Sequence, residues 1–194
     1  MALWMRNGNN LIVDGITVKN CSGMNMIAVN GTGDYVTVTN STFLNGGHYV
    51  GTPIENEFQT DFSFIYFEWD HVNILNNHIE QEDVDIALLS YTGGLELHGS
   101  YSSAVGNTFI GCFPGMYISS QVQPQKTDIL VSNNIMTDCV IGIEFWVDKP
   151  QYNVSINNNT INLTAAKKSG LADTSIGIFV PKGNNPTYCL LYTS

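Results

Sequence analysis

An all-β solenoid is the fold class this sequence predicts, and two observations carry the prediction. First, a six-residue pattern, apolar-x-Asn/Gly-polar-x-apolar, recurs six times, anchored at Val13, Val38, Ile74, Ala104, Val131 and Ile156. The spacings of 25, 36, 30, 27 and 25 residues are those of stacked supersecondary units, each too small to bury a core without its neighbours. Second, the stretches between turn residues alternate apolar and polar with period two and never with the period of a helix.

Two residues before the anchors stand Leu11, Val36, Val72, Ser102, Ile129 and Val154, apolar except for Ser102. Five residues after them stand Val18, Phe43, Ile79, Phe109, Met136 and Ile161, all apolar. Between these lie Gly15-Ile16, Asn40-Ser41, Asn76-Asn77, Gly106-Asn107, Asn133-Asn134 and Asn158-Asn159, where Gly and Asn favour a left-handed turn.

A second strand precedes each anchor strand: Ile27–Asn30, Ile65–Glu68, Leu95–His98, Met116–Ser119, Ile143–Trp146 and Ile176–Phe179. Its odd members are apolar and point inward, so its even members point out. One outward column reads Ala28, Tyr66, Glu96, Tyr117, Glu144, Gly177; the next reads Asn30, Glu68, His98, Ser119, Trp146, Phe179. Two insertions interrupt the repeat. The segment 45–61 carries His48, Tyr49, Glu55, Glu57 and Asp61, and the segment 80–94 carries Glu82, Asp83 and Asp85. Such loops serve either as cleft walls or as plain solvated excursions.

Composition narrows the partners. Seventeen acids against seven Lys and Arg give a formal charge of −10, which argues against nucleic acid, anionic lipid or a highly anionic polymer. No run approaches 18 apolar residues, so no membrane span is expected. Met1–Asn10 lacks the layout of a signal peptide. The length suits a single domain, residues 1–194. Met1–Asn10 reads as a partial first coil and Pro181–Ser194 as an incomplete or non-native last coil, so a fragment of a longer protein is expected, open at one or both ends. Cys21, Cys112 and Cys139 each follow an anchor by eight residues. Cys112 and Cys139 then fall in adjacent coils within disulfide reach, and reduced core thiols are the expectation. No CxxC or Cys/His cluster points to a metal, and no cofactor is expected.

The Asn column (Asn77, Asn107, Asn134, Asn159) and the short strands resemble a right-handed parallel β-helix of the pectin-lyase-like class, here of about six coils. The resemblance covers about Leu11 to Val180. It implies an extracellular, cell-surface or virion setting among polysaccharide lyases, glycoside hydrolases and phage tailspikes or tail appendages, some of them homotrimers. The Asn residues are expected to form a structural ladder by hydrogen bonding along the coil axis. Pectate lyases use an arginine base with calcium-binding aspartates, whereas Arg6, the one arginine, sits in the first coil. The Asn-Thr-Asp, Asp-Asp, Gly-His-Gly and Arg-x-Lys set of polygalacturonases is absent.

The outward columns are the candidate site. Glu96 and Glu144 lie two coils apart, roughly 9–10 Å between backbones. Carboxyl groups roughly 6.5–9.5 Å apart suit inverting glycoside hydrolysis. Glu68 and His98 would support them, while Tyr66, Tyr117, Trp146 and Ser119 would line sugar subsites. The expected partner is a polysaccharide, a neutral glycan before an acidic one given the charge. Three readings stand: a glycan-binding glycoside hydrolase, a non-catalytic stalk or adhesin, and a polysaccharide lyase with His98 as base.

Overall fold

The anchor residues stack coil upon coil in the register the repeat implies. In the computed structural model, which describes residues 2–22, 25–48, 63–82, 92–119, 126–146, 151–163, 176–179 and 190–193, Val13 pairs with Val38, Val38 with Ile74, Ile74 with Ala104, Ala104 with Val131 and Val131 with Ile156. The column five residues on is equally unbroken, from Val18 and Phe43 through Ile79, Phe109 and Met136 to Ile161. All of these ladders are parallel. No helix is present among the described residues.

Each coil contributes up to three strands to three faces. Face A holds the first halves of β1 (Leu3–Asp14) and β3 (Asn25–Thr39), then β5 (Ser63–Phe67), β8 (Gly93–Leu97), β11 (Met116–Ser119), β14 (Ile141–Trp146) and β17 (Ile176–Phe179). Face B holds the second halves of β1 and β3, then β6 (Asp70–Leu75), β9 (Ser102–Val105), β12 (Lys126–Ser132), β15 (Gln151–Asn157) and β18 (Leu190–Thr193). Face C is built from β2 (Thr17–Ser22), β4 (Thr42–His48), β7 (His78–Glu80), β10 (Thr108–Ile110), β13 (Ile135–Thr137) and β16 (Thr160–Asn162). Because β1 and β3 run on from face A to face B, these two faces form one continuous sheet.

The turns follow from local chemistry. All six residues two past the anchors, Gly15, Asn40, Asn76, Gly106, Asn133 and Asn158, have φ between 50° and 72°. This left-handed region costs an ordinary residue roughly 1–2 kcal/mol and suits Gly and Asn. A second left-handed corner falls three residues before each anchor, at Asn10, Tyr35, His71, Tyr101, Asp128 and Asn153. Three of these are aromatic. Their rings stack, Tyr35 on His71 at 4.6 Å and His71 on Tyr101 at 5.0 Å between centroids, and His71 Nδ1 lies 2.7 Å from Asp34 Oδ1.

Inside the coil the apolar columns meet. Phe43, Phe64, Phe67, Phe109, Ile65, Ile74 and Ile79 are fully buried, each stabilising by roughly 1.5–3 kcal/mol. Ser102, the polar member of its column, is buried but satisfied: its Oγ donates to the Ser100 carbonyl at 2.9 Å and accepts from the Val72 N–H at 3.1 Å. The Asn ladder is also internal. Asn77 Nδ2 donates to Asn107 Oδ1 at 3.0 Å, Asn107 Nδ2 to Asn134 Oδ1 at 3.0 Å, and Asn134 Nδ2 to Asn159 Oδ1 at 2.8 Å. Each Nδ2 also reaches a strand carbonyl of the preceding coil, at Val38, Ile74, Ala104 and Val131 in turn. Cys21, Cys112 and Cys139 are free thiols. Hydrogen bonding with Cys139, together with burial, pushes the Cys112 thiol well above its ordinary pKa.

One register differs from the sequence expectation. Glu144 pairs with Phe179, and Ile143 with Ile178, so β17 is slid by two residues and Gly177 leaves the outward column. A slide of two keeps the inward face inward. It also sets Gly177 beside Gly142, where a Cβ on Gly142 would lie 2.5 Å from the Gly177 carbonyl oxygen and 2.7 Å from Ile161 Cγ2. Close backbone approach at that corner selects the observed register.

Candidate functional site

The outward side of face A brings the predicted residues together. Pairing runs Ala28 to Tyr66, Tyr66 to Glu96, Glu96 to Tyr117 and Tyr117 to Glu144, which is the expected column as far as Glu144. Strand parity alone turns these side chains away from the core, and the in-register ladder holds the two acids two coils apart with Tyr117 between them.

Outward does not mean exposed. Every residue of β8 is buried, and Glu96 and His98 each keep only 2% of their exposure. Period two tells which side of a sheet a residue faces, not whether that side is covered. The buried carboxylate is fully engaged: Glu96 Oε2 accepts from Ser63 Oγ at 3.0 Å, and Oε1 lies 2.8 Å from His98 Nε2. Burial makes such partners necessary, since an unpaired charge out of water costs several kcal/mol. The other ring nitrogen, His98 Nδ1, is buried and has no hydrogen-bond partner.

Glu68 behaves differently from expectation. It sits beside His98, whose N–H donates to the Phe67 carbonyl at 2.8 Å. Its carboxylate, however, turns back along the stack. Oε1 accepts from the Tyr66 hydroxyl at 2.7 Å and Oε2 from the Gly31 N–H at 2.9 Å. Tyr66 then meets the imidazole, with ring centroids 5.1 Å apart at 54°. Glu68 therefore supports His98 through Tyr66 rather than by contact with its nitrogens.

Glu144 is the half-buried acid of the column, and desolvation raises its carboxyl above the ordinary pKa. Tyr66 and Tyr117 are likewise half-buried, whereas Ser119 is fully buried. Trp146 pairs with Ser119 through the backbone, and its side chain lies outside the described residues. So do Tyr49, Glu55, Glu57, Asp61, Asp83 and Asp85 and the side chain of His48. Glu82 is described. It accepts from Asn45 Nδ2 at 2.9 Å and donates its N–H to Asn45 Oδ1 at 3.1 Å, closing a loop corner.

Sequence reasoning missed Ser63 as the partner of Glu96, and no periodicity marks it. It also missed the Tyr35–His71–Tyr101 stack, whose signal is the constant offset of three residues before the anchor. Among the described residues, no three of His, Cys, Asp and Glu gather as a metal site would.

These features define a right-handed parallel β-helix. The particular solved structures it resembles are a single and a double mutant of the tailspike protein of E. coli bacteriophage HK620, each in complex with a pentasaccharide. Both align with a TM-score of 0.63 at 17% identity over 80% of this chain. The chain spans 27% of the length of that tailspike chain, and at this identity the likeness concerns the fold. No protein-family model matches the sequence, and no curated protein is recognisably similar to it.

Proposed function

We propose that this chain is part of a polysaccharide-binding, tailspike-like β-helix protein of the virion or cell exterior, with the outward side of face A as its glycan site. The observation that carries the reading is the register-locked column Tyr66–Glu96–Tyr117–Glu144, which alternates aromatic faces with carboxyl groups along the stack. Aromatic faces suit sugar rings, and their polar tips suit hydroxyls. That the tailspikes of similar fold were solved with a pentasaccharide supports the same class of ligand. Few basic residues and a charge of −10 favour a neutral glycan.

The finer reading is glycoside hydrolysis. Glu144, kept protonated to higher pH by its burial, supplies the proton to the leaving oxygen. Glu96, two coils away, belongs to the base side of the reaction. Trp146 extends the subsites along the adjacent column, where the buried Ser119 is closed to a sugar, and Glu68 holds Tyr66 in place. The burial and internal pairing of Glu96 also favour a second reading, a non-catalytic stalk in which the network is structural.

A panel of neutral and acidic polysaccharides tests this, scored by calorimetric binding, by new reducing ends and by absorbance of unsaturated products. Binding with reducing ends that Glu144→Gln lowers by at least a hundredfold is the expected outcome, general acid catalysis supplying roughly 10²–10⁴-fold. Unsaturated products would replace it with a lyase. Binding without cleavage would leave the stalk or adhesin reading.

A further inference from the structure

The outward column of face A extends one coil beyond Ala28. Trp4 of β1 pairs with Ala28 of β3, and Ala28 with Tyr66 of β5, so the column begins Trp4, Ala28, Tyr66. Access varies along it. Glu96, His98 and Ser119 are closed to solvent, whereas Trp4 is 59% exposed and Arg6, two residues along the same strand face, is exposed as well. The open end of this face is therefore its amino end. Trp4 is also held there. Its Nε1–H donates to Asn30 Oδ1 at 3.2 Å, which carries the indole onto the next coil, where the column residue is the small Ala28. The Tyr66 hydroxyl is held likewise, donating to Glu68 Oε1 at 2.7 Å. Each ring thus has its polar tip tied down by a member of the adjacent column before any ligand arrives. Contact with a ring already fixed costs little ordering entropy, which is the condition for such a contact to add affinity. Beside the indole, Arg6 offers a fork of N–H donors and makes no ion pair among the described residues.

Resting on the glycan reading above, we propose that Trp4 is the stacking platform of an outer subsite on this face, taking the apolar side of a sugar ring while Arg6 donates to that sugar's hydroxyls. With its N–H spent on Asn30, the indole has only its faces to offer, and these suit the C–H side of a pyranose. Tyr66 stands two coils further on, roughly 9–10 Å away between backbones, and meets the chain again along the stack. The ligand class is accordingly an extended glycan laid parallel to the coil axis, entering from the amino end of face A.

The test is calorimetric titration of the intact chain and of Trp4→Ala with the polysaccharide panel, each protein checked by a melting curve. A glycan that binds the parent is expected to bind Trp4→Ala roughly tenfold more weakly or worse, and Trp4→Phe, which keeps a ring, is expected to lose less. Equal affinity for the parent and Trp4→Ala overturns the inference alone. A second readout leaves the indole in place: quenching of tryptophan fluorescence by acrylamide. Of the three tryptophans Trp69 is buried, and the difference between the parent and Trp4→Phe isolates the emission of Trp4. A bound glycan is expected to shield that emission from acrylamide. A bound glycan that leaves it as quenchable as before overturns the inference, whatever the stability of the variants. Failure of every panel glycan to bind the parent overturns the glycan reading and this inference with it.

Discussion

Glu144 illustrates how one residue can report on its surroundings. Burial raises its pKa, so the folded chain holds the proton more tightly than the unfolded chain does. The folded state then gains stability from this group below the unfolded pKa and loses it as pH rises through the folded one. Glu144→Gln removes the cost, so the variant is expected to melt higher than the parent at neutral pH. That advantage should shrink as pH falls below the ordinary carboxylate range. Parallel melts from pH 3 to pH 8 check the sign, and an advantage independent of pH would assign it to packing instead. Residue chemistry was readable from sequence where it set conformation, as at Asn40, Asn76, Asn133 and Asn158. It was not readable at Glu96, because burial depends on what lies over a strand and alternation within the strand carries no trace of it.

At the scale of the strand, alternation and glycine placement divide the work of fixing register. Alternation alone allows any even slide, which is why β17 was expected two residues from where it pairs. Glycine removes the ambiguity at the corner that opens face A. A Cβ on Gly94 would lie 2.6 Å from the Gly115 carbonyl oxygen and 2.5 Å from Phe109 Cδ1. Gly115 and Gly142 meet the next coil's glycine carbonyl in the same way. Gly142→Ala sets a methyl against backbone, which cannot swing aside, and is expected to cost about 1–3 kcal/mol, the range for overpacking. Denaturant melts of Gly142→Ala and of Gly15→Ala separate the causes. A Cβ on Gly15 meets nothing within 4 Å, so its cost is that of its φ of 65° alone. Equal losses at the two sites would discount the steric account.

Over the whole molecule, stability is a sum of coils and of the contacts between neighbours. Interior rungs of the Asn ladder should therefore matter more than terminal ones. Asn107 is fully buried and joins the rungs on both sides, and its removal strands the Asn77 N–H and the Ile74 carbonyl. At about 1–3 kcal/mol for each unsatisfied buried group, Asn107→Ala is expected to cost about 2–6 kcal/mol. Asn159 is half-buried, and one of its amide bonds returns to Asn157 in its own coil, so Asn159→Ala should cost less. Chemical denaturation of the two variants ranks them, and a larger loss at Asn159 would contradict the additive picture. The repeat exposed this architecture in the sequence because every coil obeys the same constraint. The site was only partly exposed, since Ser63, the partner of Glu96, belongs to a single coil and repeats nowhere.

The ladder also has a direction. Backbone N–H groups of Ile16, Ser41, Asn77, Asn107 and Asn134 each donate to the side-chain oxygen of the equivalent residue one coil later, at 2.9–3.2 Å. Seen from the ribosome, a coil that has already wound offers unmet donors on the side from which the next segment arrives, and that segment brings the oxygen. Synthesis runs the same way, from the amino end. Each finished turn thus acts as the mould for its successor, and winding can keep pace with translation without waiting for the rest of the chain.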